Sequence, residues 1–175
     1  MSRRWLSATL IISGFLAFAA HGLADISMAY YLKMPEVHNY KLTEAKLQAF
    51  DRVERRIFSV KPNDPLVKAM NQHPRQNASL DELVRSMEDT PIKPLVESNG
   101  LTVREWFIWQ IVLRGAQAAA SYYEKTHQPP TGVVSQDTLA FYVTHEEEIN
   151  KMRREWSELM AKQNQAANPP APKKN

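Results

Sequence analysis

Few folds accommodate the stretch NGLTVREWFIWQIVLRGAQAAASYYEK, residues 99 to 125. Leu101 and Trp106 stand at staple positions, while Thr102 and Glu105 have capping-box spacing, so a helix is expected from Val103 to about residue 126. On a helical wheel Gln110, Arg114, Gln117, Ser121 and Glu124 form one narrow polar stripe. From Trp106 to Tyr123 the remaining side chains are apolar or small, among them Trp109, Ala118 and Tyr122. A helix apolar over most of its circumference belongs at the centre of a domain. A bilayer is the other such environment, but Arg114 and the stripe are expensive there. Gly115 and the alanines allow neighbouring helices to approach closely. The expectation is a central buried helix.

The front of the chain reads as an export signal. Arg3 and Arg4 precede the apolar run Trp5 to Ala20, and Gly22 and Ala24 supply small residues before a cut after Ala24. The alternative is an uncleaved inner-membrane anchor through residues 5–24, close to the roughly 20 residues a spanning helix needs. Either arrangement sends the rest of the chain into the periplasm. The expected division is 1–24 signal peptide, 25–163 helical domain and 164–175 disordered tail, the last lying within the polar, proline-bearing QNQAANPPAPKKN run. Once the signal is cleaved, nothing is expected to span the membrane.

Charge matters here because the full chain is basic, with 22 Lys and Arg against 19 Asp and Glu. Without Arg3 and Arg4 the balance is 20 against 19, and without Lys173 and Lys174 it is 18 against 19. A near-neutral body lacks the basic footprint of a nucleic-acid binder. The absence of cysteine excludes disulfides, thiolate metal sites, a thiol nucleophile and covalent haem attachment.

The other periodic segments are also helical, and no run of strand alternation stands out. Asp25 to Met34 reads as a short helix stopped at Pro35. Thr43 caps a helix of about 44–60 that buries Leu47, Phe50, Val53, Ile57 and Val60. Glu44, Gln48, Asp51, Arg52, Arg55 and Arg56 are placed mostly on its opposite face. Asp64-Pro65 opens a short helix, Ser79 and Glu82 box another over about 80–88, and a turn or two precedes a left-handed Gly100. Ser135 caps a long last helix of about 136–163, whose buried face holds Leu139, Phe141, Tyr142, Ile149, Met152, Trp156, Leu159 and Met160. The fold class expected is all-α, a single bundle-like domain around the central helix.

Candidate chemistry is sparse. His145 falls at the centre of the last helix's apolar face, which makes it the candidate axial ligand for noncovalent haem b or a metal, with Met152 as a second ligand. The bland alternative is a hydrogen-bonded core histidine. Glu124 and His127 have the Glu-x-x-His spacing of di-iron bundles, but such sites need two of these motifs and two more glutamates. HEEE at 145–148 lacks the second histidine of a zincin and reads as a charged helix face. No Gly-x-Ser-x-Gly or phosphate-binding loop occurs.

LTEAKLQ at 42–48 and LTVRE at 101–105 resemble the Leu-Thr-x-x-Gln helix starts of Spy-like periplasmic chaperones, with Lys46 and Glu105 where that pattern has glutamine. That likeness implies a small exported helical protein that holds unfolded clients. NGLTVREW with VSQDTLAFYVTHEEEI is similar to small exported all-helical bacterial proteins of uncharacterised function. The functional expectation is a periplasmic binding or accessory protein with no catalysis of its own and no cofactor, acting on a protein partner or client in the cell envelope. The rival is a haem- or metal-binding bundle using His145.

Overall fold

The computed structural model describes residues 28–71, 78–127 and 134–167. The expected signal at 1–24 lies outside the described residues. Described residues form helices and no strands: α1 (Met28–Leu32), α2 (Pro35–His38), α3 (Glu44–Ser59), α4 (Pro65–Met70), α5 (Leu80–Met87), α6 (Ile92–Ser98), α7 (Val103–Thr126), α8 (Gln136–Thr144) and α9 (Glu146–Ala167). The protein is an all-α, bundle-like domain with a long central helix and a long C-terminal one.

Local chemistry sets the helix starts. The Thr43 hydroxyl accepts from the Lys46 N–H and the Asp64 carboxylate from the Leu66 N–H. Ser79 with Glu82 and Thr102 with Glu105 form complete capping boxes, satisfying amides that a helix start leaves unpaired. Gly100, at φ 86°, turns the chain between α6 and α7 in a conformation that costs other residues a steric clash. Pro35 does not simply end the first helix. It opens α2 at a position where its missing N–H is harmless.

α7 is the hub. α1, α2, α5, α6 and α8 all pack on it, while α9 lies along α3. Side-chain bonds from Gln48 to Glu148, Arg55 to Glu155 and Gln163 to the Val60 carbonyl show α3 and α9 running parallel. The chain from α1 into α2 runs against the direction of α7, because Leu32 sits at Gly115 whereas Glu36 of α2 reaches back to Arg104. The core holds Trp106, Trp109 and Trp156 with essentially no exposed surface. Phe50 joins two of them, stacked on Trp109 at 5.9 Å and edge-on to Trp156 at 5.8 Å.

Three expectations need revision. The first half of α7 is buried as expected, but Ala118, Tyr122 and Tyr123 are exposed. The cause is length: 24 residues extend about 36 Å, beyond the short helices packed along it. The last helical region is long but broken at His145, which closes α8 and accepts the Ile149 N–H at the start of α9. Finally, α9 continues through Ala167, four residues into the segment expected to be disordered. Gln163 anchors that extension by donating to the Ile57 and Val60 carbonyls. Residues 168–175 lie outside the described set.

Candidate functional site

His145 is not at the centre of an apolar helix face. The break between α8 and α9 leaves its side chain 22 % exposed. Its ring stacks on Phe141 at 4.3 Å, and Phe141 is edge-on to Trp109, so the imidazole is the outer end of an aromatic array reaching Phe50 and Trp156. Nδ1 lies 3.2 Å from a Glu148 oxygen, and the other oxygen of Glu148 accepts from Gln48 at 2.6 Å. In the tautomer that donates from Nδ1 to this carboxylate, Nε2 is the lone-pair nitrogen, an arrangement shared by metal-ligating histidines and by structural ones. Met152 is buried farther along α9 among Ile149, Trp156 and Met160. Seven residues, about two helical turns, separate it from His145 along the chain.

Glu124 and His127 are both exposed at the end of α7. His127 takes up a left-handed conformation, φ 55°, and its N–H bonds to the Tyr123 carbonyl, so its backbone closes the helix. Glu146, Glu147 and Glu148 occupy the first turn of α9, where negative charge is favoured by the helix dipole. Among the described residues no group of three or more His, Cys, Asp and Glu side chains is placed to hold a metal ion. No described helix is long and apolar enough to cross a membrane.

The interior polar groups lie elsewhere. Asp51 and Glu54, one turn apart on α3, are both buried. Each accepts an indole N–H from a different long helix: Asp51 from Trp156 of α9, Glu54 from Trp106 of α7, both at 2.8 Å. Asp51 also accepts from Arg55 at 2.6 Å, and Arg55 in turn pairs with Glu155. Glu54 has a poorer supply of partners. Burial pushes its carboxyl up to about 7, against smaller downward pulls from the Trp106 N–H and the Arg114 charge, while Asp51 pushes upward.

Arg114, on the polar stripe of α7, acts on Glu54 by charge, although no hydrogen bond or ion pair to its guanidinium is found among the described residues. Burial and the nearby Arg153 hold Arg114 below the usual guanidinium range, partly opposed by Glu54. Arg153 donates to the Leu113 carbonyl at 3.3 Å and to the Tyr142 hydroxyl at 3.4 Å. Three long helices and α8 therefore share one polar junction inside a largely apolar core. Trp109 is the exception among the indoles: its buried N–H makes no hydrogen bond of good geometry among the described residues, with the Tyr40 hydroxyl as its nearby acceptor.

The periodicity reading placed Asp51 on the solvent side and passed over Glu54. A usable signal was present. Positions 50, 54 and 57 continue one buried face, and two core tryptophans each need an acceptor for the indole N–H. The chain matches no protein-family model, and neither a curated protein nor a solved structure proves similar to it.

Proposed function

We propose that this chain is an exported, non-catalytic binding or accessory protein that works in the periplasm on a protein partner or client. The observation that carries this reading is the C-terminal end of α7, where Ala118, Tyr122 and Tyr123 stand exposed on a helix whose first half is anchored in the core. Tyrosine offers a large apolar surface with a polar tip and little side-chain entropy to lose, which is why it is enriched at protein interfaces. A rigid base supporting an exposed aromatic end suits recognition. Export rests on the sequence of residues 1–24.

The test is site-specific photocrosslinking from position 118 in intact cells of the native host, with and without a Tyr122→Ser/Tyr123→Ser double substitution. The expected result is a discrete crosslinked envelope protein whose capture falls at least about tenfold in the double variant, as loss of interface tyrosines predicts. Crosslinks absent at position 118, or capture unchanged in the variant, would refute the reading.

A second reading, noncovalent haem b or a metal ion on His145, is favoured by the Glu148 carboxylate on Nδ1. Protein purified from the native host would then show a Soret band or a stoichiometric metal that His145→Ala removes. Colourless, metal-free protein that takes up no added haemin eliminates it.

A further inference from the structure

The polar stripe of α7 runs on into the exposed end of that helix. Ala118 and Tyr122 follow Arg114 at helical spacing, with Gln117 and Ser121 beside them, so all five share one side of α7. Two guanidiniums meet where that side leaves the core. Arg153 of α9 donates to the Leu113 carbonyl at 3.3 Å. A helical carbonyl points along the axis towards the fourth residue on, here Gln117. The Arg153 head therefore lies on the surface of α7 between residues 113 and 117, the stretch that carries Arg114. It is fixed there by the Tyr142 hydroxyl at 3.4 Å and by the Tyr142 ring, whose centroid is 5.8 Å away.

Arg114 has no such anchor. It is partly buried, and its five N–H donors make no hydrogen bond or ion pair among the described residues. The carboxyls of the junction are bonded to other groups. Glu54 accepts the Trp106 indole and acts on Arg114 by charge alone, Asp51 accepts the Trp156 indole and Arg55, and Glu155 pairs with Arg55. A partly buried, unbonded cation beside a second cation costs free energy, and an anion bonded to it offsets that cost.

We propose that Arg114 and Arg153 form an oxyanion-binding site on α7, filled by a carboxylate of the protein partner that docks on the tyrosine end. This rests on the binding role proposed above. The planar fork of Arg114 suits two carboxylate oxygens, Arg153 adds a second positive charge, and Gln117 offers a further donor at the exposed rim. Tyr122 lies about 12 Å farther along the helix axis. The matching segment of the partner thus carries an acidic group about that distance from the apolar surface that covers the tyrosine.

The experiment has two arms, both on the full chain. In the first, NMR of the arginine Nε–H groups follows titration with acetate, and separately with inorganic phosphate, at constant ionic strength. Arg114 should shift saturably with acetate, while the exposed Arg56 should not. An Arg114 signal that stays still, or moves no more than that of Arg56, overturns the site. A response to phosphate without one to acetate overturns the carboxylate assignment. In the second arm, photocrosslinking from position 118 is repeated with Arg114→Gln. Capture should fall about tenfold or more, as loss of one partner of a desolvated charge pair predicts. Tm should stay level or rise, because a partly buried charge without a bond has been removed. A large fall in Tm would make Arg114 a structural residue and overturns the site. Equal capture by wild type and Arg114→Gln also overturns it, and leaves the binding role intact. Saturable acetate binding with no protein captured does the reverse, upholding the site and refuting the binding role.

Discussion

Glu54 and Asp51 differ by one turn of the same helix, yet their environments set them apart. Asp51 meets Arg55 as well as an indole, whereas Glu54 meets an indole alone. A buried acid whose folded value is raised from 4.5 to about 7 binds more protons in the folded state than in the unfolded one. Its contribution is fully present below the unfolded value and is lost as pH rises through about 7. Glu54→Gln, which keeps an acceptor for Trp106, should therefore flatten the decline of stability between mildly acidic and mildly alkaline pH. At the alkaline end the variant should be more stable than the wild type by about 3 kcal/mol at most, read by urea unfolding. A variant less stable at alkaline pH would mean that the ionised carboxylate is well compensated. At this scale the sequence was a poor guide. The 50, 54, 57 spacing was visible, but the charge of Glu54 argued for solvent, and only its Trp106 partner reverses that argument.

Among the elements, capping was the most legible layer, because a cap is chemistry between residues two or three apart. Thr43, Asp64, Ser79, Thr102 and Ser135 all accept the amide expected of them. The contacts between helices were less accessible. At Gly115 an added Cβ would lie 2.6 Å from a Leu32 methyl and 3.0 Å from one of Val134. Alanine normally gains about 1 kcal/mol over glycine inside a helix, but here overpacking should reverse the sign and leave Gly115→Ala less stable by roughly 1 kcal/mol. Thermal unfolding decides; a rise in Tm would show that α1 moves aside freely. Gln163 offers a second check. Its amide donates to two carbonyls at the end of α3, so Gln163→Ala should cost about 1 to 2 kcal/mol in chemical denaturation. An unchanged midpoint would show that water replaces both bonds at no cost.

For the whole molecule the decisive fact is a mismatch of lengths. α7 is 24 residues long, whereas the helices packed on it have four to nine. Its first half is enclosed, burial continues to Ala119, and the end from Tyr122 onward is exposed. Native-state hydrogen exchange should divide α7 accordingly: amides of residues 106–116 exchange through global unfolding, and those of 120–126 at least about a hundredfold faster through local fraying. Uniform protection along the helix would mean that its end is covered in solution. The same division is the one the proposed binding role requires, a rigid base and an accessible aromatic end.

What the amino-acid order determined by itself was local: helix positions and caps, the all-α class, the absence of cysteine chemistry and the identity of α7 as the central rod. Each follows from periodicity or from contacts between near neighbours in the chain. Tertiary structure alone decided that the C-terminal helix breaks at His145, that Asp51 and Glu54 enter the core, and that Tyr122 and Tyr123 remain outside it. Those outcomes depend on which distant groups meet. An indole N–H arriving from another helix makes a buried carboxyl tolerable, and the reach of neighbouring helices limits how much of an apolar rod they can cover.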